Sequence, residues 1–279
     1  MILNLDPNFK PASGTEIAFK AFTFSGGEPH IKIEAFDTTQ KVTVTHRLNS
    51  FNDFGLFITA IDALRNMGAK TIEAVIPYFP AARQDRLMIP GEPLTVKVYA
   101  RILNSLNLDK VYVFDAHSEV TPALVENCEV IPNHEFIADV LKQVPSVSKL
   151  VSPDGGALKK IYKVSTFLGG MDVVECSKNR DVKTGRLSGF KVFADDLSGA
   201  DCLIVDDICD GGATFIGLAE ALKAKGAGKL YLAVSHGIFS KGVENLTQIF
   251  DTTFTTNSFR DISENGVVQL PIKKLIINS

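Results

Sequence analysis

The sequence predicts an α/β fold built on parallel sheets flanked by helices. Three observations carry this prediction. Short apolar runs without polar alternation recur along the chain, amphipathic segments with helical spacing separate them, and two stretches of the chain resemble each other. Unalternating runs are typical of strands buried on both faces of a parallel sheet, and a helix between parallel strands supplies the right-handed crossover.

The elements follow in chain order. The first fifty residues contain β-rich segments without a long helix between them, which predicts a small antiparallel start made of Glu16–Thr23, His30–Phe36 and Lys41–Thr45. Buried strands are predicted at the unalternating runs Ile72–Ile76, Val111–Phe114, Leu150–Ser152, Cys202–Val205 and Leu230–Ser235. Helices are predicted at the amphipathic segments Phe54–Met67, Thr95–Leu106, His134–Gln143 and Phe215–Lys225.

An internal similarity predicts two domains. Phe57–Ala69 reads FITAIDALRNMGA and Phe215–Ala227 reads FIGLAEALKAKGA, so an offset of 158 residues places Phe, Ile, Ala, Leu, Gly and Ala in register. Each segment then enters a strand. Amphipathic helices that end in glycine resemble one another in any case, but the shared strand favours duplication. We expect the boundary near Pro132–His134.

Composition excludes several classes of protein. The chain has 279 residues, a length typical of about two domains, with 45% hydrophobic and 22% charged residues. Its net charge of −3 provides no basic field for nucleic acid. Its apolar runs fall short of the ~20 residues of a membrane helix, and the first residues do not read as a secretory signal. Four cysteines without a CxxC pair favour reduced thiols and a cytoplasmic location.

The strongest local signal is the string CLIVDDICDGGAT, Cys202–Thr214. An apolar strand runs into two adjacent carboxylates, a loop with two glycines follows, and a helix comes next. Ligands bind at the carboxyl ends of parallel strands, and a helix N-terminus favours an anion. Adjacent carboxylates accept hydrogen bonds from sugar hydroxyls or hold a divalent metal through water. A capped turn at a strand end explains less of the string than a sugar-phosphate site does.

Five further strings accompany this one, in a consistent order along the chain. They are FTFSGGEPHIKI (Phe22–Ile33), PYFPAARQDR (Pro77–Arg86), VFDAHS (Val113–Ser118), VSPDGGALKK (Val151–Lys160) and SHGIFS (Ser235–Ser240). Together with the DDICDGGAT loop they resemble the motifs of the ribose-phosphate pyrophosphokinases, also called phosphoribosyl pyrophosphate synthetases. Simple phosphoribosyltransferases share the sugar-phosphate loop but lack a segment like ARQDR.

The resemblance implies an architecture and a reaction. The architecture is two phosphoribosyltransferase-like domains related by internal duplication, with residues 1–133 on the ATP side and 134–279 on the ribose 5-phosphate side. The reaction transfers the pyrophosphoryl group of ATP to the 1-hydroxyl of ribose 5-phosphate and gives phosphoribosyl pyrophosphate and AMP, with Mg²⁺ as cofactor. A phosphoribosyltransferase and a non-catalytic regulatory subunit of a synthetase are the alternatives.

The resemblance also implies roles for individual residues. Those expected to bind ribose 5-phosphate are Asp206, Asp207, Asp210, Gly211, Gly212, Ala213 and Thr214. Those expected to bind ATP are Phe24, Glu28, Arg83, Gln84 and Asp85. Lys178, Arg180 and His117 are the expected catalytic residues, and His117 and Asp154 are the expected metal positions. By spacing alone, the KNR string around Lys178 is typical of a solvated surface turn, and only its place in the motif order favours catalysis.

Several positions depart from the family pattern. Gly26 stands where many relatives carry Asp or Asn, and Gly211 replaces the usual Thr of the sugar-phosphate loop. Leu87–Pro93 lacks the basic cluster of the allosterically regulated class. We therefore expect activity without a phosphate effector. A homodimer or higher homo-oligomer with a shared active site is implied by the resemblance, because the Phe24 element reaches a neighbouring subunit in the family.

Overall fold

The computed structural model describes residues 1–180 and 187–272, with Asn179, Arg180, Leu187 and Ser188 described by their backbone only. The described chain divides into two compact units, Met1–Pro132 and Asn133–Leu270, and Pro271 and Ile272 group with the first. The predicted boundary after residue 133 lies one residue from this division. The predicted assignment of one substrate to each unit stays a prediction.

The first unit is built on a parallel sheet. Within its described residues the strand order is β1-β4-β5-β6-β7, and every neighbouring pair is parallel. The strands are β1 (Ile2–Asn4), β4 (Val42–Thr45), β5 (Ile72–Val75), β6 (Lys110–Phe114) and β7 (Cys128–Ile131). The helices are α1 (Phe51–Asn66), α2 (Thr95–Asn104) and α3 (Val120–Leu124). A separate antiparallel hairpin consists of β2 (Phe19–Thr23) and β3 (Pro29–Ile33).

Helix α1 shows why this sequence folds as it does. The hydroxyl of Ser50 accepts a hydrogen bond from the backbone N–H of Asp53 at 3.1 Å and caps the first turn. Phe57, Ile61 and Leu64 recur at helical spacing and are buried against the sheet. The helix stops before Gly68, whose φ of +98° suits glycine.

The second unit contains a larger sheet. Its described strands follow the order β10-β9-β8-β11-β12-β13-β14, antiparallel between β9 and β10 and parallel elsewhere. The strands are β8 (Val147–Ser152), β9 (Asp172–Arg180), β10 (Leu187–Val192), β11 (Asp201–Cys209), β12 (Leu230–Gly237), β13 (Thr252–Thr256) and β14 (Val267–Leu270). The helices are α4 (His134–Gln143), α5 (Leu158–Phe167), α6 (Ala213–Ala224) and α7 (Glu244–Thr247).

The two units repeat one local topology. In the first, β4, α1 and β5 lead to β6 and β7, and the four strands are neighbours in that order. In the second, β11, α6 and β12 lead to β13 and β14 in the same spatial order. The similar segments Phe57–Ala69 and Phe215–Ala227 thus begin in equivalent helices. This supports the predicted duplication, and the predicted α/β class with parallel sheets flanked by helices is confirmed.

The prediction of an antiparallel start is wrong for one of its three segments. Two of the three segments form the β2–β3 hairpin, but Val42–Thr45 lies in the parallel sheet between β1 and β5. It is buried throughout, because α1 follows it directly and covers the sheet. The predicted strand Cys202–Val205 is also too short, because β11 continues to Cys209. The described residues contain no helix with the length and apolarity needed to span a membrane.

Candidate active site

Two adjacent carboxylates stand near the carboxyl end of β11. The side chain of Asp207 is buried, and its backbone N–H donates to Asp206 Oδ1 at 2.9 Å. Burial raises the pKa of Asp206, and the neighbouring charge of Asp207 raises it further. A buried pair of like charges is relieved by a proton, a cation or hydroxyl donors. This pair is therefore prepared to accept hydrogen bonds from a ligand.

The loop after these carboxylates leads directly into helix α6. Gly212 has φ +78° and precedes the first helical residues, Ala213 and Thr214. The residue before the helix is a glycine and supplies no side-chain cap, an arrangement that suits an anion at the first N–H groups. The positive φ is a conformation that glycine adopts without strain. The structure thus places the predicted loop between the end of a buried strand and the start of a helix, and its role in binding an anion stays a prediction.

A second loop supports the first. Ser240 donates its backbone N–H to the carbonyl oxygen of Asp210 at 3.1 Å, and its hydroxyl donates to the Asp210 carboxylate. The N–H groups of Ile238 and Phe239 donate to the carbonyl oxygen of Cys209 at 2.9 and 3.1 Å. Asp210 therefore holds the loop after β12 in place. Ser240 lies within the SHGIFS string, but its contact with Asp210 cannot be predicted from that string.

Asp154 and Lys178 form an ion pair beside these carboxylates in the second unit. Lys178 Nζ lies 2.7 Å from Asp154 Oδ2, and the N–H groups of Gly156 and Ala157 donate to Oδ1 at 2.9 and 3.1 Å. Burial favours the neutral acid, but Lys178 and the two N–H groups outweigh it and lower the pKa of Asp154. Arg180 ends β9, and the prediction for its side chain lies outside the described residues.

Lys160 is a cation that sequence analysis missed. It lies on α5, and its Nζ is 3.8 Å from Asp207 Oδ2. The residue stands within the VSPDGGALKK string, so the motif contained the signal, but only the packing of α5 shows which lysine faces the carboxylates. Lys160 thus gives Asp207 a cationic neighbour, as Lys178 does for Asp154 in the same unit.

The ARQDR and AHS strings meet in the first unit. The Asp85 side chain is 7% exposed, and Arg86 Nε lies 3.4 Å from its Oδ1. Burial favours neutral Asp85, but hydrogen bonds from Ser118 and Arg86 and the charges of Arg86 and His117 lower its pKa. The structure therefore brings two predicted residues, Asp85 and His117, into one charged cluster. Ser118 is a member that sequence analysis left without a role.

Arg83 and Gln84 lie on an exposed turn after β5. The turn is closed by the Gln84 N–H, which donates to the Ala81 carbonyl oxygen at 2.8 Å. Ala81 has φ +56°, an uncommon conformation for a residue with a side chain. The turn thus presents a permanently charged guanidinium and an amide to solvent beside Asp85.

Phe24 and Glu28 lie at the tip of the β2–β3 hairpin. Phe24 N–H donates to the Glu28 carbonyl oxygen at 2.9 Å and closes the tip. The rings of Phe22, Phe24 and His30 contact one another at centroid distances of 4.9 to 5.4 Å, and both phenylalanines are 51% exposed. An added Cβ at Gly26 would lie 2.6 Å from Glu28 Oε2, so the glycine makes room for this carboxylate.

The predicted residues therefore fall into separate groups. Asp85 and His117 come together in the first unit, and Asp154 with Lys178 and Asp206 with its neighbours come together in the second. His117 and Asp154, the predicted metal positions, belong to different units. In the part of the chain that the structure describes, no three His, Cys, Asp or Glu side chains cluster closely enough to hold a metal by themselves.

Comparison with known proteins decides the family. Residues 15–106 match the N-terminal domain of ribose phosphate pyrophosphokinase, and residues 188–259 match the phosphoribosyl synthetase-associated domain. A ribose-phosphate pyrophosphokinase of Vibrio cholerae is 32% identical over 231 residues, which cover 78% of this chain and 72% of the relative. One from Pyrococcus abyssi is 32% identical over 219 residues, which cover 76% and 74%. The chain belongs to the ribose-phosphate pyrophosphokinase family.

A further relative and a solved structure also match this chain. The enzyme of Shewanella oneidensis is 35% identical over 208 residues, which is 72% of this chain and 65% of the relative. The fold matches a phosphoribosylpyrophosphate synthetase from Mycobacterium smegmatis with a TM-score of 0.81 and 22% identity, covering 98% of this chain and 94% of that one. At this identity the match supports the fold alone.

Proposed function

We propose that the protein is a ribose-phosphate diphosphokinase, which transfers the pyrophosphoryl group of ATP to the 1-hydroxyl of ribose 5-phosphate. The observation that carries the proposal is the Asp206–Asp207 pair, with Asp206 half-buried and Asp207 buried, which is followed closely along the chain by the N-terminus of α6 at Gly212. Hydroxyl acceptors and an anion site in this order match the two ends of a sugar phosphate. Membership of the family supports the same reaction.

On the sugar side, Asp206 and Asp207 accept hydrogen bonds from ribose hydroxyls. Such bonds are charge-assisted and each contributes about 1.5–3 kcal/mol. The backbone N–H groups from Gly211 to Thr214 bind the 5-phosphate, and Asp210 keeps the loop in place through Ser240. The hydroxyls and the phosphate thereby fix the orientation of the 1-hydroxyl.

On the nucleotide side, the exposed face of Phe24 stacks on adenine, and Glu28 accepts a hydrogen bond from the nucleoside. Arg83 neutralises the polyphosphate, because its planar fork of donors stays charged at any physiological pH. Gln84 donates to phosphate oxygens. Asp85, whose lowered pKa keeps it ionised, orients the cations around it.

The reaction moves one group. The oxygen of the sugar 1-hydroxyl loses its proton to solvent and bonds to the β-phosphorus of ATP. The bond from that phosphorus to the oxygen of the α-phosphate breaks, and AMP leaves with the electron pair of that bond. Lys178 and Arg180 stabilise the negative charge of the transferring group. This charge increases in the transition state at the bond being formed and at the bond being broken. His117, whose charge helps to lower the pKa of Asp85, stabilises the transferring group from the nucleotide side.

The residues present fit a Mg²⁺ cofactor. Burial and the adjacent charge of Asp207 raise the pKa of Asp206, so a further cation would favour its ionised form, and carboxylate oxygens are the ligands that Mg²⁺ prefers. Mg²⁺ is commonly held by one or two carboxylates together with substrate phosphates, which agrees with isolated metal positions at Asp154 and His117 rather than a closed cage. When bound, the ion withdraws charge from the polyphosphate.

Two further assignments accompany the reaction. We propose a homodimer or higher homo-oligomer in which the β2–β3 hairpin, with its two exposed phenylalanines, completes the site of a neighbouring copy. We also propose a cytoplasmic location, supported by four cysteines that are all free thiols. Light scattering of the purified chain measures the first of these directly.

The deciding experiment incubates the purified chain with ATP, Mg²⁺ and ribose 5-phosphate. We expect AMP and phosphoribosyl pyrophosphate in equal amounts, and no product with EDTA. Formation of ADP in place of AMP would contradict pyrophosphoryl transfer. A chain that is inactive alone but changes the rate of an active synthetase would be a regulatory subunit, and one that joins phosphoribosyl pyrophosphate to a nucleobase would be a phosphoribosyltransferase.

A further inference from the structure

Lys241 lies against Gly211, which replaces the usual threonine of the sugar-phosphate loop. A Cβ added at Gly211 would lie 3.2 Å from Lys241 Cδ and 3.4 Å from Lys241 Cε. The aliphatic part of the lysine therefore crosses the backbone of this glycine. The usual threonine would meet the lysine side chain there, so the glycine leaves the space that Lys241 occupies.

The backbone around Lys241 is held at the loop. The residue immediately before it, Ser240, bonds to Asp210 through both its N–H and its hydroxyl. The residue immediately after it, Gly242, donates its N–H to the Phe239 carbonyl oxygen at 3.0 Å. These bonds keep Lys241 within reach of the same loop whose N–H groups begin α6.

The ammonium group of Lys241 has no protein partner among residues 1–180 and 187–272. No ion pair or side-chain hydrogen bond joins it to a described residue, and the residue is exposed. Lys160 and Lys178, the other cations beside this site, each have a carboxylate partner. An unpartnered cation beside uncapped helix donors increases their preference for a dianion.

We propose that Lys241 binds the 5-phosphate of ribose 5-phosphate and replaces the threonine hydroxyl that Gly211 removes. The assignment rests on the proposed function and deepens it, because it names a specificity residue outside the family motif. The ammonium donates to a phosphate oxygen while Gly211 lets the lysine stem approach the loop. The charged lysine ammonium thus donates to the phosphate in place of a neutral threonine hydroxyl.

Calorimetric titration of the full chain with ribose 5-phosphate, without ATP, tests this directly. Lys241→Met keeps the stem and removes the charge, and we expect about tenfold weaker binding, the effect of one exposed charge-assisted hydrogen bond. Lys241→Arg keeps the charge and should bind within about threefold of wild type. Lys229→Met is the matched control, since it removes an exposed lysine at the opposite end of β12 and should bind like wild type.

A double-mutant cycle distinguishes a direct contact between Lys241 and the phosphate from a general effect of net charge. Gly211→Thr restores the family hydroxyl, so Lys241→Met should cost at least about threefold less in that background than in wild type. Raising the salt concentration should weaken wild-type binding more than binding by Lys241→Met. Thermal unfolding of each variant checks that the fold is intact.

The outcomes separate this assignment from the proposed function. A wild-type chain that binds ribose 5-phosphate, together with a Lys241→Met variant that binds it equally well, overturns the role of Lys241 and leaves the proposed function standing. A wild-type chain that binds no ribose 5-phosphate overturns both. Weaker binding by Lys229→Met to the same extent as Lys241→Met also overturns the role, because the effect is then one of net charge.

Discussion

Replacing Lys178 by methionine tests the Lys178–Asp154 ion pair of the second unit. In the folded chain Lys178 Nζ lies 2.7 Å from Asp154 Oδ2, with the two side chains 20% and 31% exposed. A charge-assisted hydrogen bond contributes about 1.5–3 kcal/mol, and partial solvent screening reduces that to about 1–2 kcal/mol here. We expect Lys178→Met to lower the free energy of unfolding by that amount at pH 7.

The effect has a defined pH dependence. The pKa of Asp154 is lowered in the folded state, with Lys178 and two backbone N–H groups outweighing the opposing effect of burial. A lowered acid pKa contributes stability that is present above the unfolded value of about 3.9 and is lost as the pH falls through the folded pKa. The difference between wild type and Lys178→Met should therefore persist from pH 7 to pH 5 and shrink below pH ~4.

Urea unfolding of wild type, Lys178→Met, Asp154→Asn and the double variant measures the interaction. The coupling free energy should be about 1 kcal/mol or more at pH 7, because the asparagine oxygen still accepts from Gly156 and Ala157 while the charge pair is lost. Activity of Lys178→Met should also fall, mainly in kcat. A coupling energy near zero at pH 7, or one that grows in acid, would refute the reasoning.

Four further expectations follow from the site. Asp207→Asn should raise KM for ribose 5-phosphate about 10-fold or more and leave KM for ATP unchanged, by loss of a charge-assisted acceptor. Arg180→Ala should lower kcat about 100-fold with both KM values nearly intact. Asp206→Asn should abolish activity and raise the melting temperature at pH 7 by ~2–4 °C. Burial and Asp207 raise the pKa of Asp206 in the folded state, so its carboxyl group destabilises the fold as the pH rises. The increase in melting temperature should therefore fade towards pH 4. Leu87–Glu92 is exposed and carries no cation, so activity should need no added phosphate, and ADP should inhibit by simple competition with ATP.

Each of these has a contrary result. An unchanged KM for ribose 5-phosphate in Asp207→Asn removes that residue from the sugar site. A loss confined to KM in Arg180→Ala makes it an ordinary binding residue. A lower melting temperature in Asp206→Asn at pH 7 means that the carboxylate pair stabilises the fold. Sigmoidal ADP inhibition at saturating ATP requires an effector site.

The sequence by itself determined the fold class, the strand–helix alternation and the loop chemistry, because these depend on local patterns. Short β-rich runs without alternation are typical of central strands, and Gly212 before α6 permits a positive φ that other residues resist. The same local reasoning misassigned Val42–Thr45. Whether a short apolar strand pairs parallel or antiparallel depends on which neighbour it meets, and here that neighbour is β1.

Only the tertiary structure decided which charges meet. Asp85 gains its partners from a string about thirty residues away, and Asp154 pairs with Lys178 from the next strand of the sheet. Only the packing of α5 shows that Lys160 faces Asp207, and only the loop after β12 shows that Lys241 lies against Gly211. Ion pairing and side-chain contact act through space over a few ångströms, whereas sequence patterns report on periodicity along the chain, so the two kinds of information coincide only within a single loop or helix turn.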